Sequence, residues 1–363
     1  MTEESSVSLI LDTGSWMCKA GLSTEDFPRV SMPTLVSSYK TINKEDQTVL
    51  YFGKEAIEKQ NTLGLQSILN EGKVEDWELM ENFWQNLIST HFAQNMTERP
   101  VLTSFHPHSS KFAKEKATQV FFEVFNVPLY FTASNSLLIL YSSGRVHGMA
   151  LDCGHGVTSA VPILDGAPLY HSQSTMNHGG KAITDFLART TNLGTELARD
   201  IKEKYCRVSL DYDREVNDMR GTNGANLITL PDGSAFDLKT NNIRAAEGLF
   251  QPDLIDGTHS GIHDLVLDSL NKTEPEFRNE LLGNIIVAGG NANFPNFNER
   301  LQRELLMREP SSVKVKCLNF TDKVNSAWFG GAIVSSLGSF QPMWVTRAEY
   351  DECGPAIINR KCI

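Results

Sequence analysis

Apolar residues fall along this chain in two rhythms. Short unbroken runs, Val7 to Leu11, Met149 to Leu151 and Asn284 to Ala288, each end in Asp or Gly punctuation. That pattern predicts buried strands meeting tight turns. Ala160-Val161-Pro162-Ile163-Leu164 predicts a further strand. Elsewhere the apolar positions recur every three or four residues. Leu79, Phe83, Trp84, Leu87 and Ile88 predict a one-faced helix between Trp77 and Phe92. Phe112 to Phe125 continues in helical style and stops at Asn126-Val127-Pro128. Ser136 to Tyr141 predicts an apolar helix closed by Gly144, and Phe297 to Met307 a helix with Asn296 as its N-cap. Ser37 to Gln47 is polar and without period, and predicts a mobile surface loop. Strands alternating with helices make the class α/β.

Composition narrows this picture only a little. The 363 residues are enough for two lobes of ordinary domain size, and 40% apolar with 21% charged residues is usual for a globular protein. The net charge of −11 is spread along the chain, which argues against nucleic acid as a direct partner. No apolar run is long enough to span a membrane, and the start Met1-Thr2-Glu3-Glu4 lacks the basic character of a secretory leader. Six scattered cysteines without a CxxC pair are expected to be reduced thiols of a cytosolic or nuclear protein.

The candidate chemistry lies in the turns. Asp12-Thr13-Gly14-Ser15 follows the first strand, and Asp152-Cys153-Gly154-His155-Gly156 repeats the same strand–Asp–x–Gly element later in the chain. Glycines in such turns let backbone N–H groups converge on an oxyanion, and an Asp at the strand end can hold Mg2+ through water beside phosphates. Lys19 can add a point charge, and Gly289-Gly290 offers a third flat approach. One Asp-x-Gly after a strand is usually a plain turn. Two copies with a later Gly-Gly keep phosphate binding open and suggest two related lobes. No G-x-x-x-x-G-K-[ST] occurs, and the Gly154-x-Gly156 run lacks the last glycine and the helix of a dinucleotide site. His106-Pro107-His108 is too sparse for a metal site and predicts a surface loop; Phe121, Phe122 and Phe125 predict core.

At these positions the sequence resembles actin and the actin-related proteins over essentially its whole length. Asp12 to Gly21 resembles the family's first phosphate loop and Asp152-x-Gly154-x-Gly156-Val157-Thr158 its second. Asp200-Ile201-Lys202-Glu203-Lys204 resembles the segment lining the adenine pocket, Gly289-Gly290 the loop at the adenosine, and Ser339 to Cys362 the family's tail. The resemblance implies an actin-like ATPase fold: two related lobes, or four subdomains, around a central nucleotide cleft. Subdomain 1 would comprise 1-32, 68-142 and 326-363, subdomain 2 33-67, subdomain 3 143-178 and 258-325, and subdomain 4 179-257. It also implies ATP or ADP with Mg2+. Asp12 and Asp152 would hold the metal through water. Gly14, Ser15, Lys19, Gly154, Gly156 and Val157 would meet phosphate, while Lys202, Glu203, Gly289 and Gly290 flank the nucleoside.

Several positions depart from the family. Trp16 stands in place of a glycine, costing roughly 1–3 kcal/mol if that position needs positive φ or a close backbone approach. Asn135 replaces the glutamine that orients the attacking water, Ser159 a histidine beside it, His155 an acidic residue, and Val324 a lysine at the adenine with Lys323 adjacent. Catalysis, if any, would rest on Asn135 and Asp152, and hydrolysis is expected to be weak or absent. The loop near Ser37 to Gln47 is short, residues are missing between Thr191 and Glu196, and Leu254 to His259 carries charge where conventional actins have an apolar plug. Tyr141, Gly144, Val334, Leu337 and Met343 resemble an apolar cleft for an amphipathic partner helix, although Ala167 replaces a neighbouring tyrosine. The expectation is a cytoplasmic, cytoskeletal or motor-associated subunit working with other actin-family subunits or actin-binding proteins. The alternatives are a divergent polymerising ATPase and a nuclear actin-related subunit of a chromatin-modifying complex.

Overall fold

The structure, a computed structural model, describes residues 7–40, 48–60, 62–92, 96–219, 226–255 and 260–362. Contacts divide the chain into Met1–Arg145 with Asn325–Ile363, and Val146–Val324.

The first unit is built on a six-stranded sheet. Its strands are β1 (Leu9–Thr13), β2 (Met17–Leu22), β3 (Val30–Pro33), β9 (Val101–Phe105), β10 (Leu129–Ser134) and β19 (Val345–Thr346), in the order β19-β10-β9-β1-β2-β3. β1, β9 and β10 run parallel, and β2, β3 and β19 antiparallel to their neighbours. Central position explains the unbroken apolar run, since Leu9, Ile10 and Leu11 are buried whichever face they point to. A smaller sheet joins β4 (Leu35–Lys40), β5 (Thr48–Phe52) and β6 (Leu65–Ser67), followed by the short hairpin β7 (Leu69–Asn70) and β8 (Lys73–Val74). The helices are α1 (Gly53–Glu58), α2 (Trp77–His91), α3 (Lys111–Gln119), α4 (Asn135–Ser142), α12 (Ser326–Ser336), α13 (Arg347–Cys353) and α14 (Ile358–Lys361).

α2 follows its pattern: the Asp76 carboxylate caps it by accepting from the Glu78 and Leu79 amides, and Met80, Phe83, Trp84, Leu87 and Ile88 are buried. α3 passes into one π-helical turn over Val120–Val124, closed by the Phe125 amide on the Val120 carbonyl, before Asn126 turns left-handed. Phe121 and Phe122 are core, as expected. The expected loop from Ser37 is corrected: residues 37–40 belong to β4, and residues 41–47 lie outside those described. Ser37 looks polar in sequence, but it is buried with its hydroxyl donating to the Ala56 carbonyl.

The second unit has its own sheet, β13-β12-β11-β17-β18, with β14 also on β12. These are β11 (Gly148–Cys153), β12 (Thr158–Leu164), β13 (Ala167–Pro168), β14 (Ser174–Met176), β17 (Ile285–Ala288) and β18 (Cys317–Leu318). β15 (Leu227–Thr229) and β16 (Ala235–Asp237) form a separate ribbon. The helices are α5 (Gly180–Thr191), α6 (Thr195–Tyr205), α7 (Tyr212–Met219), α8 (Asn241–Glu247), α9 (Ile262–Asn271), α10 (Arg278–Leu282) and α11 (Phe297–Arg308). One core joins the sheet (Met149, Leu151, Ile285, Val287) to α5, α9 and α11 (Ile183, Val266, Leu301). The missing residues after Thr191 leave a tight connection, in which Asn192 adopts a left-handed conformation between α5 and α6. α11 is present, but Asn296 does not cap it with its side chain. Its φ is 68°, and its amide donates to the Val208 carbonyl instead. Beneath α11 the Arg300 guanidinium grips both oxygens of Glu247, at 2.7 and 3.0 Å. Burial raises the Glu247 carboxyl against this pairing.

Each sheet has the same central device. β1 turns back into β2 and lies parallel to β9; β11 turns back into β12 and lies parallel to β17. Asp12 pairs with Lys19 and Asp152 with Ser159, one step inside each turn.

Candidate phosphate turns and nucleoside pocket

In the first unit, the Gly14 amide donates to the Met17 carbonyl at 3.0 Å, closing a turn in which a Cβ on Gly14 would stand 3.0 Å from that oxygen. Thr34 then holds the turn from one side, its hydroxyl donating to the Gly14 carbonyl (2.8 Å) and its amide to the Trp16 carbonyl (2.9 Å). Because a trans peptide is planar with C=O and N–H opposed, a Gly14 carbonyl drawn toward Thr34 turns the Ser15 amide the other way. The Ser15 hydroxyl accepts from the Gly72 amide at 3.1 Å. Asp12 is buried at the base, taking Lys19 Nζ on Oδ2 (3.1 Å) and Ser104 Oγ on Oδ1 (2.5 Å). The indole N–H of Trp84 on α2 donates to Thr13.

Trp16 does not sit in a left-handed backbone conformation. It is absent from the residues with positive φ, and so is Gly156, its counterpart in the second turn. The cost that a left-handed backbone would put on a tryptophan there therefore does not arise, because the turn asks for a left-handed residue at neither place.

The second unit repeats the turn. The Gly154 amide donates to the Val157 carbonyl at 3.0 Å, and a Cβ on Gly154 would lie 2.9 Å from that oxygen. The Gly154 carbonyl accepts from the Gly180 amide (3.0 Å) and Asn291 Nδ2 (2.8 Å), and the His155 carbonyl from the Lys181 amide (2.8 Å). By the same peptide geometry the His155 and Gly156 amides face away from these partners. Gly289, at φ +89°, passes so close that a Cβ would meet the Cys153 carbonyl at 2.4 Å and Asp152 Oδ1 at 2.7 Å. Gly290 opens a short 3-10 turn and has open space where a Cβ would be. Lys202 is buried with Nζ on the Gly180 carbonyl at 3.1 Å, and burial pulls its ammonium down to about 8. Glu203, one residue on, is exposed. Lys323 donates to the Ala292 carbonyl (2.7 Å) and to Asn298 Oδ1 (3.0 Å).

Asp12, Ser104 and Asn135 stand at the carboxyl ends of the parallel strands β1, β9 and β10 or just beyond them. Asp152 and Gly289 do so for β11 and β17. That edge of an open α/β sheet is where ligands bind. Both turns fit an oxyanion: the carbonyls of Gly14, Trp16, Gly154 and His155 are committed to the protein, Gly14 and Gly154 carry no Cβ, and each turn has an Asp at its base. Asn135 opens α4, with its side-chain oxygen Oδ1 accepting from Ser136 Oγ at 3.5 Å. Ser159 is buried, and its hydroxyl has no hydrogen-bond partner among the described residues. No cluster of three or more His, Cys, Asp or Glu able to hold a metal occurs among the described residues, so a metal at either turn would rest on the one Asp at its base and on water.

Sequence reading missed Ser104, Thr34, Gly180 and Asn291. None sits in a motif, and each reaches the turns only through the fold. His106 is less superficial than expected: burial drives its imidazole down to about 4, and Nε2 is enclosed without a partner among the described residues, while His108 is exposed. Of the apolar-cleft residues, Val334 is buried, Tyr141 half-buried, Gly144 left-handed after α4, and Leu337 and Met343 exposed beside exposed Ile333. All six cysteines are free thiols, and only Cys353 is exposed. Among the described residues no helix is long and apolar enough to cross a membrane. Of the plug-like segment, residues 256–259 lie outside those described.

A protein-family model for actin matches residues 3–196 and 190–363.

Proposed function

The chain belongs to the actin family, and on that premise we propose that it is an actin-like structural subunit that holds ATP or ADP with Mg2+ and turns it over slowly or not at all. The observation that carries this reading is the duplicated turn at the carboxyl ends of the parallel strands. Two strand–Asp–x–Gly hairpins have matching register and matching closing bonds. The Ser15, His155 and Gly156 amides would receive phosphate oxygens. Asp12 and Asp152 would orient water on the metal, which supplies charge neutralisation when bound. Lys202, Glu203, Gly180, Gly289 and Gly290 would border the nucleoside.

Weak turnover is supported by two side chains. Asn135 is one methylene shorter than the residue the family uses to place the attacking water, and about 1 Å of misplacement can cost on the order of 100-fold in rate. Ser159, paired across from Asp152, has only a buried hydroxyl to offer. The subunit would serve a cytoplasmic cytoskeletal or motor-associated complex with other actin-family chains or actin-binding proteins. An amphipathic partner helix would dock at Tyr141, Gly144, Val334 and Leu337, a reading supported by the exposed side chains of Ile333, Leu337 and Met343.

The experiment is nucleotide content and turnover of the purified protein beside Asp12→Ala and Asn135→Gln. The expected result is nucleotide that co-purifies, is lost in Asp12→Ala, and turns over measurably only in Asn135→Gln. Rapid turnover with pelleting of the wild type in polymerising salt would make it a working filament-former and overturn the reading.

A further inference from the structure

We propose that His263 is an acid-sensitive latch in the second unit: its neutral imidazole holds the first turn of α9 against Phe250, and taking up a proton releases that turn while the sheet stays folded.

The latch stands where the chain, having left the core after Phe250, re-enters it at Gly261. The Ile262 amide donates to the Leu249 carbonyl at 2.9 Å. A Cβ on Gly261 would stand 2.3 Å from the Phe250 carbonyl and 2.5 Å from His263 Cε1, so backbone and ring are in close contact here. The His263 ring lies nearly parallel to that of Phe250, at 14° with centroids 6.2 Å apart. It is 4% exposed, and Nδ1 is enclosed without a hydrogen-bond partner among the described residues. On the other side Asp264 Oδ1 lies 3.4 Å from Nε2. That carboxylate favours the proton of the neutral ring on Nε2 and leaves a bare lone pair on Nδ1.

A second proton would have to go on Nδ1, and three features oppose it. The new N–H would be a buried donor with no acceptor. The charge would sit in the first turn of a ten-residue helix, whose positive end repels a cation and whose N-cap, Gly261, has no side chain to offer. The Phe250 ring also serves a cation already, Arg300, 5.0 Å from its centroid. The charged groups that bear on the ring are Asp264 on α9 and Arg308, Glu304 and Arg300 on α11. These are largely spent on one another. Glu304 takes both arginines, Asp264 also takes Arg308, and Glu247 on α8 takes Arg300. Burial outweighs the carboxylates and holds the His263 imidazole below its ordinary 6.5. In the released turn, open to water, the ring regains that ordinary value. The open form therefore takes up the proton first: the latch is complete above pH 6.5 and weakens as pH falls below it.

Amide hydrogen exchange of the full chain at pH 7.5 and pH 5.5 tests this, with rates expressed as protection factors. One unit below the ordinary histidine value multiplies the open form by up to about tenfold. Protection of the Ile262 and Leu265 amides should fall by about three- to tenfold, while Leu151 and Val287 in β11 and β17 keep theirs. His263→Phe keeps a ring against Phe250 and cannot titrate, and its Ile262 and Leu265 amides should be equally protected at both pH values. Glu247, whose carboxyl burial raises, is intact in that variant. An acid loss there as large as in wild type would assign the effect to the carboxylates and overturn the proposal. So would unchanged protection in wild type, an equal loss in β11 and β17, or a His263 ring that titrates at or above 6.5 by NMR of isotope-labelled histidine. The last three readings use the wild type alone and hold whether or not the variant folds.

Discussion

His106 packs at the hairpin beside the first turn, with its Cβ and Cγ 3.5 Å from where a Cβ on Gly72 would stand. Burial, with a smaller push from His108, holds its imidazole at about 4 instead of the ordinary 6.5. The unfolded chain therefore takes up this proton first as pH falls. The stability it lends is complete above pH 6.5, is lost between 6.5 and about 4, and does not fall further below that. At pH 5 the loss is on the order of 2 kcal/mol. Urea melts at pH 7 and pH 5 should show wild type losing about that much more than His106→Asn; equal losses would refute the burial. Gly289 gives a second test. With φ at +89° and the Cys153 carbonyl 2.4 Å from a built Cβ, Gly289→Ala should cost about 1–3 kcal/mol and lower the melting temperature. An unchanged melt would mean the loop after β17 moves aside freely. Trp16 teaches the converse. A residue that departs from a family pattern is strained only if the backbone there demands something it cannot give.

Between elements, contact is decided by small residues that carry little signal in a sequence. α4 and α12 cross so closely that a Cβ on Gly330 would lie 1.9 Å from the Leu138 carbonyl, and one on Gly331 would press on Ile10 and Leu102. Gly330→Ala should therefore destabilise the chain by about 1–3 kcal/mol or more through overpacking. Gly338→Ala, where nothing lies within 4 Å of the added atom, should be close to neutral. Chemical denaturation of the pair checks this, and equal midpoints would refute the crossing. Elements themselves were readable where period and punctuation agreed, as in β1, α2 and the two Asp-x-Gly hairpins. They were missed where a polar residue is satisfied by a distant partner: Ser37 hides β4 because its hydroxyl is answered by Ala56, and Asn296 looks like a cap while serving Val208. The candidate site divides the same way. Its turns are local and were visible, whereas Ser104, Thr34 and Asn291 reach the turns across long stretches of chain that no spacing rule connects.

On the scale of the whole chain, the second unit is one continuous segment, Val146–Val324, and the first is split around it into Met1–Arg145 and Asn325–Ile363. The two should then differ in what they need in order to fold. Residues 146–324 contain their own sheet, a large apolar core with a smaller cluster around Ile201, Ile228 and Leu238, and the Arg300–Glu247 pair that anchors α11 to α8. The first unit waits for the last stretch of chain. α12 covers β1 and β9, Trp328 and Trp344 are among its largest buried side chains, and β19 completes the sheet against β10. The tail is then fastened by Arg347 on the Phe122 carbonyl and Tyr350 on Glu123, both in the π-helical turn. Losing a buried tryptophan side chain costs about 3–5 kcal/mol, and two of them approach the whole stability of a typical domain, about 5–15 kcal/mol. A fragment of residues 146–324 should accordingly melt cooperatively on its own, while a chain ending at Val324 should show that transition alone and expose apolar dye-binding surface from its first 145 residues. Calorimetry of both fragments, with a dye-binding assay, measures this directly. A second cooperative transition in the chain ending at Val324 would mean that the first unit is held by its N-terminal stretch alone, and that α12 and the tail only decorate it.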